Sequence, residues 1–228
     1  MRTVWIGGIR MINKIIQGDC LEVMKDIEDN HFDLCLTDIP YNEVNRKNNG
    51  LRNLNKGIVD EVNFDMIEML NSINRVCKGS FYIFCGIEQV SEIRKYFVEK
   101  GLSTRMCFWE KTNPSPMNGE YIWLSSVECI IYAKNSGSTF NGFCESPVFR
   151  YACGTNKYHP TQKPIKLLIK MIEISSNEGD LILDCFAGSC STAVACKRMG
   201  RNFIMIEQDS DYCEIGRKRL KQEKSLFD

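Results

Sequence analysis

The run Asp180-Leu-Ile-Leu-Asp-Cys-Phe-Ala-Gly-Ser-Cys-Ser-Thr-Ala-Val-Ala-Cys-Lys-Arg-Met-Gly-Arg-Asn-Phe-Ile-Met-Ile-Glu207 constrains the fold more than any other part of the chain. An apolar strand at 181–184 stops on an acid and a turn of small residues follows. A helix at 192–199 then leads into a second buried strand, 202–207, which also ends on an acid. Strand, tight turn, helix and strand make a unit of an α/β sheet, which holds ligands beyond the carboxyl ends of its strands. Small turn residues let backbone N–H groups approach a ligand at the helix N-terminus. An acid about 20 residues further on suits the two hydroxyls of a ribose. The pattern therefore points to a nucleoside-containing cofactor. The turn 186–192 lacks the three-glycine spacing that accommodates a pyrophosphate, which argues against a nicotinamide dinucleotide.

The rest of the chain alternates in the same way. Strands are predicted at 14–16, 32–36, 80–85, 105–109 and 127–133, and helices at 20–27, 62–76, 89–100, 164–175 and 211–224. Residues 42–60 are rich in Asn, Gly and basic side chains without periodicity and read as a mobile loop, and 135–158 reads as irregular. Residues 1–10 read as an extension outside a single domain of 11–228, a length that one core can serve. No apolar run approaches the roughly 18–20 residues needed to span a bilayer, and no signal peptide is recognisable, so a cytoplasmic protein is expected. The twelve cysteines lie largely inside apolar runs, no Cys-x-x-Cys pair occurs and there are two histidines; buried reduced thiols and no metal are expected. The formal net charge is zero, but 42–57 carries Arg46, Lys47, Arg52 and Lys56 against Glu43 alone.

A second feature follows the apolar run 32–36: Asp38-Ile-Pro-Tyr41 puts an acid, a proline and an aromatic where a strand should end. Alone, it reads equally as a reaction centre or as a strand entering a polar turn. With the Phe186-Ala-Gly188 turn, however, the chain resembles the amino-group DNA methyltransferases, and within them the permuted β class, whose catalytic motif precedes the cofactor motif. Three further stretches match in order: Gly18-Asp-Cys-Leu-Glu-Val-Met24, Trp109-Glu-Lys-Thr-Asn-Pro-Ser-Pro116 and His159-Pro-Thr-Gln-Lys-Pro164. The resemblance covers about residues 14–220. Without it, Asp19 reads also as a helix cap, His159 as a turn residue and Trp109 as core.

The resemblance implies a Rossmann-like, S-adenosylmethionine (AdoMet)-dependent fold with a seven-stranded, mostly parallel sheet in circularly permuted motif order. It implies that Phe186 and Gly188 line the cofactor, that Glu207 takes its ribose hydroxyls, and that Asp19 and Cys20 lie at its adenine end. Thr161 and Lys163 would contact its methionine part. Asp38 and the carbonyl of Ile39 would accept from the two N–H bonds of a target amine, with Pro40 shaping the turn and Tyr41 stacking on a base flipped out of DNA. The acid at 38 favours adenine N6 over cytosine N4. DNA is the implied partner, in the setting of restriction–modification, and such proteins often form homodimers. A short target-recognition segment would lie at 135–158.

Two residues depart from the family's pattern. Ile39 replaces a proline of Asp-Pro-Pro-Tyr and loses its fixed φ, from which a less rigid corner is expected. Cys190 replaces the second glycine of Phe-x-Gly-x-Gly, where a Cβ would disfavour a positive φ or narrow the cofactor's approach. These departures keep open a catalytically silent, nucleic-acid-binding relative, and a methyltransferase for cytosine N4, RNA or a small amine is a further alternative.

Overall fold

The computed structural model describes residues 4–6, 9–41, 65–115, 123–154 and 162–223. Strands β1 (Val4–Ile6) and β2 (Ile9–Met11) pair antiparallel into a small sheet of their own. After β3 (Lys14–Gln17), Asp19 caps α1 (Cys20–Lys25) by accepting from the amides of Leu21 and Glu22. Strand β4 (Phe32–Asp38) follows, and then α2 (Met66–Val76), which buries Met69, Leu70, Ile73 and Val76 at helical spacing. The expected loop at 42–60 and the start of the helix expected at 62–76 lie outside the described residues.

The helix α2 passes into β5 (Cys77–Cys85) with no loop between them, so Lys78 and Gly79 belong to the strand. The register with β4 shifts between Phe32 and Leu34, which makes β5 longer by one residue there. Gly79 permits that fit: a Cβ on it would lie 1.6 Å from the carbonyl oxygen of Asp33. Next come α3 (Val90–Glu99), β6 (Ser103–Lys111), β7 (Val127–Lys134) and β8 (Val148–Tyr151). The chain ends with α4 (Ile165–Ser175), β9 (Leu181–Asp184), α5 (Ser191–Arg198), β10 (Asn202–Glu207) and α6 (Ser210–Gln222).

The main sheet has the order β3-β10-β9-β4-β5-β7-β6-β8, and only β7 runs antiparallel to its neighbours. Among the described residues it has eight strands, not the expected seven. The added one is β8, inside the segment read as irregular; four residues are too few to show a period against their Pro-, Gly- and Ser-rich surroundings. What fixes β8 is tertiary: it pairs along the free edge of β6, and the Trp109 indole N–H donates to the Tyr151 carbonyl at 2.9 Å. Trp109 is accordingly buried in the core.

Helices cover both faces of the sheet. One face packs on α1, α2 and α3 through Met24, Leu70, Ile73 and Phe97. The other packs on α4, α5 and α6 through Leu168, Met171, Ala195 and Cys213. Nine of the twelve cysteines are buried and none is in a disulfide. Burial raises the thiols of Cys77 and Cys85 to about 12, so both stay protonated at neutral pH. Among the described residues no helix is long and apolar enough to cross a membrane.

Candidate active site

The strands β4 and β9 are adjacent and parallel, with Cys35 opposite Leu183. Three residues beyond that pair, one chain reaches Asp38 and the other Phe186. Asp38 and Phe186, 148 apart in sequence and both singled out by the motifs, are thus brought to the same edge of the sheet. A buried hydrogen bond ties the two ends: the Thr37 hydroxyl donates to Asp184 Oδ1 at 2.9 Å. The other oxygen of Asp184 accepts from the Thr192 hydroxyl at 2.7 Å, and Oδ1 also accepts from the Phe186 amide. Burial outweighs these bonds and raises the Asp184 carboxyl to about 6.

Beyond Asp38 the chain is held at successive residues. The Ile39 amide donates to the Phe84 carbonyl at 3.2 Å and its side chain is buried in the core. A proline at this position has no N–H to give, so the departure from the family pattern replaces a fixed φ with one further β4–β5 hydrogen bond. The Pro40 carbonyl accepts from Gln89 Nε2 at 3.0 Å, and Gln89 Oε1 accepts from the Gly86 amide at 2.9 Å. The corner is therefore braced from β5 and from the turn before α3. Tyr41 is half-buried at the end of this stretch.

The turn 186–190 is shaped by backbone and by one carboxylate. Gly188 and Cys190 have φ of 48° and 59°. The Gly188 amide donates to Glu207 Oε2 at 2.6 Å, and Glu207 Oε1 accepts from the Asp209 amide at 2.9 Å. Burial raises the Glu207 carboxyl above its usual range, partly countered by these amides. The Gly18 amide donates to the Glu207 carbonyl at 3.0 Å, so Asp19 lies next to the acid that ends β10. Cys20 turns its side chain inward towards Cys185. From α6, Arg219 Nη1 donates to the Ser189 carbonyl at 2.5 Å and to the hydroxyls of Ser189 and Ser191.

Cys190 answers the second departure. Its side chain is buried against α6, where a Cβ on Gly216 would lie 2.5 Å from Cys190 Sγ. The missing side chain at Gly216 makes the space that the extra one at Cys190 fills. The thiol is thus in the core, and the left-handed backbone is the remaining cost of having a cysteine there.

Lys163 lies against the Asp38 corner with its side chain 6% exposed. Its Nζ is 2.5 Å from Asp38 Oδ2, 3.3 Å from Glu128 Oε2 and 5.1 Å from the centre of the Phe84 ring. Burial opposes its charge, but Asp38 and Glu128 hold it protonated well above the usual lysine range. Thr161, with His159 and Pro160, lies outside the described residues.

Asp38, Ile39, Pro40, Tyr41, Asp19, Lys163, Phe186, Gly188 and Glu207 therefore gather at one end of the sheet. Glu128, Gln89, Arg219 and Gly216 also belong there and are not singled out by motif. Glu128 has a faint signal as the one acid inside the apolar strand β7, and Arg219 follows Cys213 and Gly216 on the buried stripe of α6.

The pattern of the N6/N4 DNA methylase family matches residues 134–218. The type II methyltransferase M.HpaI of Haemophilus parainfluenzae is 30% identical over 246 residues, covering 96% of this chain and 77% of that protein. The DNA adenine methyltransferase YhdJ of Escherichia coli K12 is 32% identical, covering 90% of this chain and 82% of that protein. The crystal structure of the M1.HpyAVI–SAM complex superposes with a TM-score of 0.72 at 28% identity, over 91% of this chain and 98% of that one. With an acid-led corner and a Phe-x-Gly turn abreast on neighbouring strands, the chain belongs to the amino-group DNA methyltransferases of the N6/N4 family.

Proposed function

We propose that the protein is a site-specific DNA methyltransferase that moves a methyl group from AdoMet to the exocyclic N6 amine of an adenine flipped out of the duplex. The observation that carries this reading is the juxtaposition of Asp38 with the Phe186 turn on adjacent strands, tied by the Thr37–Asp184 hydrogen bond. The donor set fits the cofactor. Glu207 is a partly desolvated carboxylate beside a turn of small residues, as a ribose diol requires. Bound AdoMet would supply a methyl group activated by its sulfonium sulfur, which leaves as a neutral thioether.

The target amine is a weak nucleophile because its lone pair is delocalised into the ring. The Asp38 carboxylate accepts one N–H, and the Ile39 carbonyl, on a backbone fixed at the Ile39 amide and the Pro40 carbonyl, accepts the other. Both contacts raise electron density on nitrogen as the N–C bond forms, and they act by pre-set geometry in a shielded site. As that bond forms a proton leaves the nitrogen, and the Asp38 carboxylate is the adjacent acceptor. Tyr41 stacks on the flipped base. No cysteine is called on, in keeping with the raised pKa of the buried thiols.

Adenine is favoured by the acid at position 38, and the E. coli relative at 32% identity is described as an adenine methyltransferase. The test is sequencing, with modified-base detection, of DNA from cells expressing the wild-type protein or Asp38→Ala. N6-methyladenine at a short recurring sequence, absent with Asp38→Ala, is expected. N4-methylcytosine would move the assignment to cytosine, and unmodified DNA with the wild type would favour a silent, nucleic-acid-binding subunit.

A further inference from the structure

Four side chains of alternating charge form a row at the catalytic edge. Lys111 of β6 is 2.9 Å from Glu128 of β7; Glu128 is 3.3 Å from Lys163, just before α4; and Lys163 is 2.5 Å from Asp38 of β4. Glu128 lies one residue beyond the last β5–β7 pair, Cys85 with Cys129, which puts it at the same end of the sheet as the catalytic corner. The side chains of Lys163, Glu128 and Asp38 are 6%, 19% and 25% exposed. Taking charges this far out of water costs more than their pairing returns in stability, so such a row is better explained by the site than by the fold.

We propose that Glu128 is a positioning residue for methyl transfer: by sharing Lys163 with Asp38, it sets how much of the Asp38 negative charge remains available to the amine. This rests on the reading of Asp38 as the amine's acceptor. With Asp38 as its only partner, the buried ammonium would place its full charge on the one carboxylate that must draw density towards the base nitrogen. Glu128 takes part of that charge on the far side. Lys111 in turn holds Glu128, and the Phe84 ring face shields the ammonium from water. Burial works against the Glu128 charge, yet Lys163 and Lys111 hold its carboxyl below the usual range, so it is an anion throughout the working pH range.

Among the described residues, Cys85 on β5 and Asp184 on β9 also interact with Asp38, and Tyr41 with Lys163. Cys85 is neutral below about 12, and Asp184, which titrates at about 6, is common to every variant compared. Removing either end of the shared cation therefore gives effects of opposite sign. Loss of Glu128 concentrates Lys163 on Asp38 and favours the ionised carboxylate. Loss of Lys163 leaves Asp38 beside an uncompensated Glu128 and disfavours it.

The experiment is a carbon-13 NMR titration of the Asp38 carboxyl in the full-length, DNA-free protein, its resonance identified by loss in Asp38→Asn. Wild type, Glu128→Gln and Lys163→Met are compared, with Lys163→Gln as a second variant should Lys163→Met not fold. The Asp38 midpoint is expected to fall by about half a pH unit or more in Glu128→Gln and to rise in the lysine variants. Single-turnover methyl transfer should slow about tenfold in Glu128→Gln with AdoMet affinity unchanged, which a packing defect would not produce. A midpoint unmoved in Glu128→Gln, or moved in the same direction as in the lysine variants, overturns the proposal. A wild type that methylates no DNA would overturn the functional reading instead, while the titration still decides the coupling.

Discussion

At the end of β4 the chain leaves the sheet on a carboxylate tied to a cation; at the end of β9, next to it, the chain leaves on a carboxylate tied to hydroxyls. Asp38 is a quarter exposed and shares Lys163 with Glu128. Asp184 is 4% exposed and accepts from Thr37, Thr192 and the Phe186 amide. The first has a cation for its partner, which suits the proposed role of a charge that a substrate can use. The second is a hub that fixes the spacing between the Asp38 corner and the Phe186 turn. Position at a strand end therefore does not by itself make an acid catalytic; the partners distinguish the two.

The comparison can be broken most directly through pH. The folded-state value of Asp184, about 6, lies above the unfolded value of about 3.9, so the folded protein binds this proton more tightly. The contribution is then fully present below about pH 4 and is lost as pH rises through about 6. Against Asp184→Asn, which cannot titrate, the wild type should lose on the order of 2–3 kcal/mol of relative stability across that interval. Urea unfolding in steps from pH 4.5 to 7.5 measures it. A wild-type-minus-variant difference that stays flat would mean that the hydrogen bonds to Asp184 offset its burial.

Next in size is the packing behind the turn. Gly216→Ala would put a Cβ 2.5 Å from Cys190 Sγ and 2.9 Å from Ile15 Cδ1. Overpacking of this kind costs about 1–3 kcal/mol. Because Cys190 precedes α5 in the cofactor turn, AdoMet affinity should weaken along with stability. Adding Cys190→Ala removes the Sγ contact but keeps Cys190 Cβ, 2.9 Å from the new Cβ, so it should recover part of both losses, a coupling read from a double-mutant cycle by calorimetry and thermal unfolding. Losses that simply add would show that the two residues do not share the space.

These contrasts also explain what could be read in the sequence. The strand ends, the glycine turn and the position of Glu207 at the end of β10 are legible because each is a local pattern. Ile39 and Cys190 were visible as departures, but their consequences were not. The partner of Ile39 is the Phe84 carbonyl on another strand, and that of Cys190 is an absent side chain on α6. Likewise Lys163 lies 125 residues from Asp38, and its sharing between two acids follows only from the sheet order β4-β5-β7-β6. Short β8 escaped for the same reason, since its existence depends on an edge that the fold supplies.

The smallest expected effect is the most discriminating between the two departures. Cys190 occupies the left-handed region, which costs an L-residue roughly 1–2 kcal/mol and glycine little. Cys190→Gly removes that strain, but it also empties the niche facing Gly216 and frees the unfolded chain, each costing about 1 kcal/mol. The terms nearly cancel, so stability should change by less than about 1 kcal/mol and AdoMet affinity, followed by calorimetry, by less than about threefold. Ile39 gives no such cancellation: Ile39→Pro removes a hydrogen-bonded amide and a core side chain together. A clear gain in AdoMet affinity in Cys190→Gly would mean that the thiol does restrict the cofactor's approach. A clear loss would make its packing against α6 part of what holds the turn in its binding shape.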